Sequence, residues 1–156
     1  MLSLTHRISQ TLLALGLAST VVFSHASVAH AQDFVSIKGA SVHVREKPAP
    51  RAASLWELGS GYPLQVTQRK PGWLRVKDHE ATLGWVNAAQ TSKKPHMVIT
   101  ARSVGLRAGP GTQHKQLAKL DQHEVVRTLK KSGSWAQVQR DGGQKGWIPR
   151  RQAWGW

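Results

Sequence analysis

Tryptophan and arginine recur in this sequence at positions from which they could bind a ring-shaped or anionic ligand. A flat aromatic face stacks on a sugar ring or a peptide plane, and a guanidinium holds a carboxylate through two parallel hydrogen bonds. The candidate ligand-binding residues chosen on this basis are Arg45, Trp56, Tyr62, Trp73, Arg75, Trp85, Arg107, Trp135 and Trp147. Structural roles remain open beside this one, because tryptophan can fill or cover a small barrel and arginine can pin a loop by donating to backbone carbonyls.

The side chains present do not favour catalysis or metal binding. Cysteine is absent, and neither a Gly-x-Ser-x-Gly elbow nor a His-Glu-x-x-His pair occurs. The acidic residues are isolated except for Asp78 and Glu80. A metal ion needs three or four converging ligands, whereas the histidines are scattered in the sequence: His43, His79, His96, His114 and His123. We therefore predict a protein that is not an enzyme, with no catalytic residue, no cofactor and no metal site.

The charge of the chain is strongly positive. Lysine and arginine number 22 against 8 acidic residues, which gives a formal net charge of +14. Such a field attracts anions and weakens as salt rises. Outside the cytoplasm the anions available are peptidoglycan carboxylates, lipopolysaccharide phosphates and nucleic acid, and nucleic acid is the least expected of them for an exported protein. The alternative is that the charge serves solubility alone.

Residues 1–31 have the order of a cleavable secretory signal. Arg7 precedes the uncharged apolar run from Thr11 to Phe23, and Ala29-His30-Ala31 supplies small residues before the expected cleavage after Ala31. The apolar run is shorter than the about 20 residues of a membrane-spanning helix, although a retained N-terminal anchor is the alternative. No other run is long enough, so we predict no transmembrane segment in the mature chain and a periplasmic or secreted location.

The remainder of the sequence contains an internal repeat with two copies. A shift of 62 residues carries Leu58 to Leu120, Trp73 to Trp135, Gly84 to Gly146 and Trp85 to Trp147 without a gap. Agreement between rare residues makes coincidence a poor explanation. We predict a first domain at residues 32–91, a linker at 92–96 that contains a helix-breaking proline, and a second domain at 97–156 with a tryptophan-rich tail.

Both copies have the pattern of short β-strands. Val42 and Val44 alternate with His43 and Arg45, and this period of two indicates half-buried strands. Turn residues such as Asp141-Gly142-Gly143 separate the runs, and no sustained helical stripe of apolar residues occurs. The fold class predicted is all-β, with two small, strongly bent barrels, each around a tryptophan-bearing interior.

The second copy also resembles a known family. It contains Val104-x-Leu106-Arg107-x-Gly109-Pro110-Gly111-Thr112, then Leu117-x-x-Leu120, Gly133-x-Trp135-x-x-Val138 and Gly146-Trp147-Ile148. In this order and spacing the motifs resemble a bacterial SH3 (SH3b) domain. The first copy is similar to a proteobacterial variant of that family, but has Lys47-Pro48-Ala49-Pro50 where the second copy has the glycine-rich turn. The resemblance covers nearly all of residues 34–151.

The resemblance implies two tandem SH3-like barrels that bind a ligand and perform no chemistry of their own. Several such domains are thought to bind peptidoglycan peptides, so the expected partner is cell-wall peptidoglycan or another anionic envelope polymer. The alternative is an adaptor that binds an envelope protein through a groove or a strand edge.

Three aromatic features fall outside the shared pattern. Trp56 and Tyr62 occur in the first copy only, opposite Ala118 and Glu124, so they form either a copy-specific surface or a contact between the barrels. The C-terminal Trp-Gly-Trp follows two arginines. It is expected to fold back onto a barrel, and the alternative is insertion into a membrane interface.

Overall fold

The computed structural model describes residues 32–156, and almost all of the regular secondary structure in that range is β-strand. The predicted signal peptide, residues 1–31, lies outside the described residues. Within residues 32–156, no helix has both the length and the apolar character needed to cross a lipid bilayer. The prediction of an all-β fold is confirmed.

The first half of the described chain forms one antiparallel sheet with the strand order β3-β2-β6-β5-β4-β1-β7. Its strands are β1 (Phe34–Ile37), β2 (Ser41–Arg45), β3 (Ser54–Gly59), β4 (Pro63–Lys70), β5 (Trp73–Lys77), β6 (Leu83–Asn87) and β7 (Thr91–Ser92). A short 3-10 helix, Ala88–Gln90, connects β6 to β7.

The second half repeats this topology in a separate sheet, with the order β10-β9-β13-β12-β11-β8-β14. Its strands are β8 (His96–Ile99), β9 (Ser103–Arg107), β10 (Gln116–Asp121), β11 (Val125–Ser132), β12 (Trp135–Gln139), β13 (Lys145–Pro149) and β14 (Ala153–Gly155), with a 3-10 helix at Arg150–Gln152. Every strand starts 62 residues after its counterpart in the first sheet, so the sequence repeat is a repeat of structure.

Each sheet curls around its own aliphatic cluster. In the first sheet β1 and β2 are not neighbours, yet both contribute side chains to one cluster, which requires the sheet to bend back on itself. The buried members of that cluster are Val35, Ile37, Val42, Val44, Leu64, Leu74, Val76 and Val86. Those of the second are Met97, Ile99, Val104, Leu106, Leu120, Val126, Ala136, Val138 and Ile148. Alternation along each strand sends these side chains to the inner face.

The repeated tryptophans lie outside these two clusters. Trp85 is only 8% exposed but follows Gly84 and precedes Val86 on β6, so it points to the opposite face from the cluster member Val86. Trp147 has the same position on β13 and the same exposure. The expectation of a tryptophan-bearing interior is therefore wrong: the interior is aliphatic, because Trp85 and Trp147 point to the opposite face of their strands.

The C-terminal tail packs against the first barrel, which confirms the expectation that it folds back. Strand β14 pairs with β8 of its own sheet, with Trp154 opposite Val98. The Phe34 ring on β1 lies 5.0 Å from that of Trp154 and 5.6 Å from that of Trp156. Residues of both barrels thus share one apolar contact, and β1 is buried on both faces.

Candidate functional site

The two predicted arginines each hold the loop that follows them. Arg45 Nη1 donates a hydrogen bond to the Ala52 carbonyl at 2.7 Å. Arg107 Nη1 donates to two carbonyls, those of Thr112 at 3.0 Å and His114 at 2.9 Å. The loop-pinning role is therefore present in both copies, and it uses one terminal nitrogen of each guanidinium.

Trp85 and Trp147 are each covered by a lysine. The Lys70 ammonium lies 5.3 Å from the centre of the Trp85 ring, and Lys130 lies 5.4 Å from that of Trp147. These distances suit cation–π attraction. Arg75, which is exposed, sits on β5 directly opposite Trp85. With so little ring surface free, these two tryptophans offer a ligand less contact than their spacing suggested.

Trp135 has a different environment, because it is half-exposed and borders two small cavities. One, of about 150 Å³, is lined by Thr112, Ser134, Trp135, Pro149, Arg150 and Arg151. The other, of about 190 Å³, is also lined by Trp135 and Arg151, together with Ser103, Gly105, Arg107 and Gln152. The structure thus brings together two of the predicted residues, Arg107 and Trp135, with arginines that the sequence analysis had assigned to the tail.

The matching surface of the first barrel lacks these cations. Trp73 is half-exposed like Trp135 and begins the equivalent strand. The positions that correspond to Arg150 and Arg151, however, are Ala88 and Ala89. The arginine pair beside Trp135 therefore has no counterpart at the equivalent positions of the first barrel.

The copy-specific aromatics belong to the packing of the first barrel. Trp56 and Tyr62 are half-buried against its aliphatic cluster. The Trp56 indole nitrogen is buried without a hydrogen-bond partner among the described residues. The Tyr62 hydroxyl lies 2.6 Å from His79 Nδ1. Burial raises the pKa of Tyr62 well above its usual value, and the nearby carboxylates of Asp78 and Glu80 add to the shift.

A cluster of His79, Glu80 and His123 was not anticipated from the sequence. The two imidazole rings lie 5.6 Å apart between centroids, and the ligand atoms of all three side chains are within 4.8 Å of one another. His79 and Glu80 lie in the loop between β5 and β6, whereas His123 lies in the turn between β10 and β11. The cluster therefore joins the two barrels.

A groove between the barrels is the second feature that was missed. It consists of two adjoining cavities of about 340 and 300 Å³, which share Ser60, Gly61, His96 and Arg127. The second of them also presents Lys38 and Lys94. The groove is open, and both copies contribute cations to it.

His96 lines both cavities of this groove, and its surroundings favour the neutral form of the ring. Burial lowers its pKa, and a hydrogen bond to the Lys94 carbonyl at 3.0 Å opposes part of that effect. The positive charges of Arg127 and Lys94 lower it further, while Asp141 raises it. Lys38, Lys94 and Arg127 supply positive charge to the groove. Arg140, which is paired with Glu124, and Asp141 also line it.

Comparison with known proteins matches the two barrels to two family models that have the same description. Residues 38–93 and residues 102–152 each match a family described as a bacterial SH3 domain. A Bacillus subtilis (strain 168) protein named "Putative N-acetylmuramoyl-L-alanine amidase YrvJ" is 33% identical over 58 residues, which are 37% of this chain and 11% of that protein. The chain thus spans about a tenth of the length of this curated relative.

Solved structures of NlpC proteins show a more distant similarity. NlpC2 from Trichomonas vaginalis aligns at a TM-score of 0.37 with 11% identity, over 80% of this chain and 48% of that one. An NlpC/P60 family protein from Bacillus cereus ATCC 10987 aligns at 0.34 with 16% identity, over 80% and 56%.

Proposed function

From the premise that this chain is a tandem bacterial SH3 domain protein, we propose that it is a non-catalytic module that binds the bacterial cell wall. The ligand class is peptidoglycan or another anionic polymer of the envelope. The region of likeness to a protein named as an amidase of N-acetylmuramoyl-L-alanine supports a wall ligand. Export by the N-terminal segment is part of the proposal, because the wall lies outside the cytoplasm.

The observation that carries the proposal is the surface around Trp135. Its half-exposed ring borders cavities that also present Arg150, Arg151 and the pinned loop residue Thr112. An indole face gives contact area to a sugar ring or a peptide plane, and an arginine pairs with a carboxylate in a bidentate geometry. Glycan strands with carboxylate-bearing peptides offer both chemistries side by side.

The groove between the barrels supports a polymeric ligand rather than a small molecule. Lys38, Lys94 and Arg127 place positive charge along it, at a location separate from the residues that line the Trp135 surface. A polymer that contacts both places gains avidity through effective concentration, even if each contact is weak.

The experiment is a pull-down on purified peptidoglycan sacculi with a matched pair of variants. Trp135→Ala removes the ring beside the arginines, and Trp73→Ala removes the ring at the equivalent position of the first barrel. We expect Trp135→Ala to weaken retention by about tenfold, equivalent to roughly 1.4 kcal/mol, and Trp73→Ala to change it little. Urea unfolding of both variants separates a binding defect from a folding defect.

Two results would count against this proposal. If the unmodified protein is not retained by sacculi at moderate salt, it does not bind the wall. If both tryptophan variants lose retention equally while remaining folded, the arginine-flanked surface of the second barrel is not the site.

A second candidate function is a protein adaptor, favoured by the strand edges. Strands β3 and β10 each have a hydrogen-bonded neighbour on one side only, and they carry Leu55 and Leu117 at 47% and 44% exposure. An extended segment of a partner can add to such an edge. In-cell crosslinking that recovers one dominant protein after digestion of the wall would support the adaptor and contradict the wall-binding proposal.

A further inference from the structure

We propose that His79, Glu80 and His123 form a Zn²⁺ site that bridges the two barrels. Two imidazole nitrogens and one carboxylate oxygen lie within 4.8 Å of one another. A set of two histidines and one glutamate with a water in the fourth position is a known Zn²⁺ coordination. Because His123 comes from the second barrel, the bound ion would tie together elements far apart in the sequence.

His79 is already oriented for this role by the first barrel. Its Nδ1 lies 2.6 Å from the Tyr62 hydroxyl, and its Nε2 lies 3.7 Å from Glu80 Oε1. When the Nδ1 proton is donated to the tyrosine oxygen, the lone pair of Nε2 is free for a metal. Histidine ligands of metals commonly have such an outer partner, which fixes both tautomer and ring orientation. Tyr62 is thus a positioning residue.

The backbone around the cluster is unusual in a way that singles it out. Among residues 32–156, the non-glycine residues with positive φ are Ala81 at 66° and His123 at 67°. The other copy has glycine at both matching positions, Gly143 and Gly61, also with positive φ. A non-glycine residue costs about 1–2 kcal/mol more there than glycine does. The presence of His123 at such a position supports a functional role for its side chain.

The donor atoms need only small movements to reach coordination distance. Ligand atoms around a tetrahedral Zn²⁺ lie about 3.3 Å apart, since each is about 2.0–2.1 Å from the ion. Glu80 has 68% of its side chain exposed and is free to rotate, and His123 is exposed as well. The more buried His79 remains fixed while the other two side chains close on the ion.

The ligand types also decide which metal fits. Imidazole suits zinc and its late first-row neighbours, whereas calcium and magnesium require mainly oxygen donors. The charge of the whole chain opposes cation binding, but the Asp78 carboxylate is buried immediately before His79 and adds negative charge locally. We therefore expect Zn²⁺ to bind, and Mg²⁺ and Ca²⁺ not to.

The test measures Zn²⁺ binding by isothermal titration with exported, untagged protein that has been stripped with a chelator. We expect one Zn²⁺ per chain and a higher melting temperature, because a ligand that binds only the native state stabilises it. Titration with Co²⁺ should give the intense visible absorption of a tetrahedral site. Failure to bind one equivalent, or binding without any stabilisation, would overturn the proposal.

The variants locate the site. His123→Asn retains a residue that tolerates positive φ, and we expect it to weaken Zn²⁺ binding at least about tenfold and to abolish the Co²⁺ absorption. Tyr62→Phe leaves all three ligands in place and should weaken binding by about 10–100-fold. The control is His43→Asn, an exposed histidine on β2 that should leave binding unchanged. If His43→Asn weakens binding as much as His123→Asn, or if neither does, the assignment is wrong. Sacculus retention is a separate measurement, so either proposal can fail alone.

Discussion

At the scale of single residues, arginines at equivalent positions of the two copies make different numbers of hydrogen bonds. Arg45 and Arg107 occupy equivalent places, yet Arg45 holds one carbonyl and Arg107 holds two. The hydrogen bonds from Arg107 hold the glycine-rich loop that follows it. The same loop contributes Thr112 to the proposed binding surface.

This difference predicts an order of stability effects. Arg107→Ala should lower the free energy of unfolding by about 1–2 kcal/mol, because hydrogen bonds from a charged donor to carbonyls are lost at a partly exposed site. Arg45→Ala should cost less, since it removes one such bond. Urea unfolding of both variants measures the two values, and a larger loss for Arg45→Ala would contradict the loop-pinning account.

The tryptophans show what residue types alone leave undecided. In a Gly-Trp-Val strand the tryptophan and the valine point to opposite faces of the sheet. The sequence does not say which of these faces is the inner one, so the pattern around Trp85 fits an inward or an outward ring equally well. The outward direction follows from Gly84, where β6 approaches β2 too closely for a side chain. That approach is a property of the folded sheet, and the repeated glycine does not by itself reveal which strand it meets.

At the scale of elements, the close approach of β6 to β2, and of β13 to β9, decides whether each sheet can curl. A Cβ atom at Gly84 would lie 2.4 Å from Val44 Cγ1, and one at Gly146 would lie 2.5 Å from Leu106 Cγ and 2.9 Å from the Arg107 carbonyl oxygen. These glycines let the strands meet. They explain why the shift of 62 residues preserves glycine before both tryptophans.

Alanine at these glycines should therefore destabilise each barrel. Gly146→Ala and Gly84→Ala are expected to lower the free energy of unfolding by about 1–3 kcal/mol through overpacking. The control is Gly59→Ala on β3, where the nearest atom to a new Cβ is 3.9 Å away, and where the change should be neutral or stabilising by up to about 1 kcal/mol. Thermal or urea unfolding gives the comparison, and equal effects at all three glycines would refute the packing argument.

The elements are also the level at which the sequence was most informative. Alternating apolar residues and turn glycines, repeated at one shift, were sufficient to predict the all-β class and the tandem domains. Sequence could not predict the surfaces where the copies meet. His79 with His123, and Lys38 with Arg127, become neighbours only through the packing of one barrel on the other, and periodicity within a copy carries no information about that packing.

At the scale of the whole molecule, the C-terminal tail couples the two barrels. It continues the second sheet through β14 and places Trp154 and Trp156 against Phe34 of the first. Strand pairing and aromatic contact thus act together. The Trp-Gly-Trp segment therefore has a structural role in joining the barrels.

The double change Trp154→Ala and Trp156→Ala should uncouple the barrels while keeping the backbone of β14. We expect the free energy of unfolding to fall by about 2 kcal/mol. Removing a fully buried aromatic side chain costs about 3–5 kcal/mol, but both of these rings are half-exposed. Unfolding followed by two probes should change from coincident to separate transitions. Coincident transitions at an unchanged midpoint would show that the tail does not couple them.

If the arginines beside Trp135 allow the second barrel to bind the cell wall, replacing them should weaken that binding. The test variant combines Arg150→Ala with Arg151→Ala, which gives this surface the residues that the first barrel has at Ala88 and Ala89. The control variant combines Lys47→Ala with Arg51→Ala, which removes the same charge from exposed positions of the first barrel. Retention on sacculi across a salt series is the measurement. The account predicts about tenfold weaker binding for the first pair, near 1.4 kcal/mol, and little change for the second. Equal weakening by both pairs would contradict it, because net charge alone would then explain the binding.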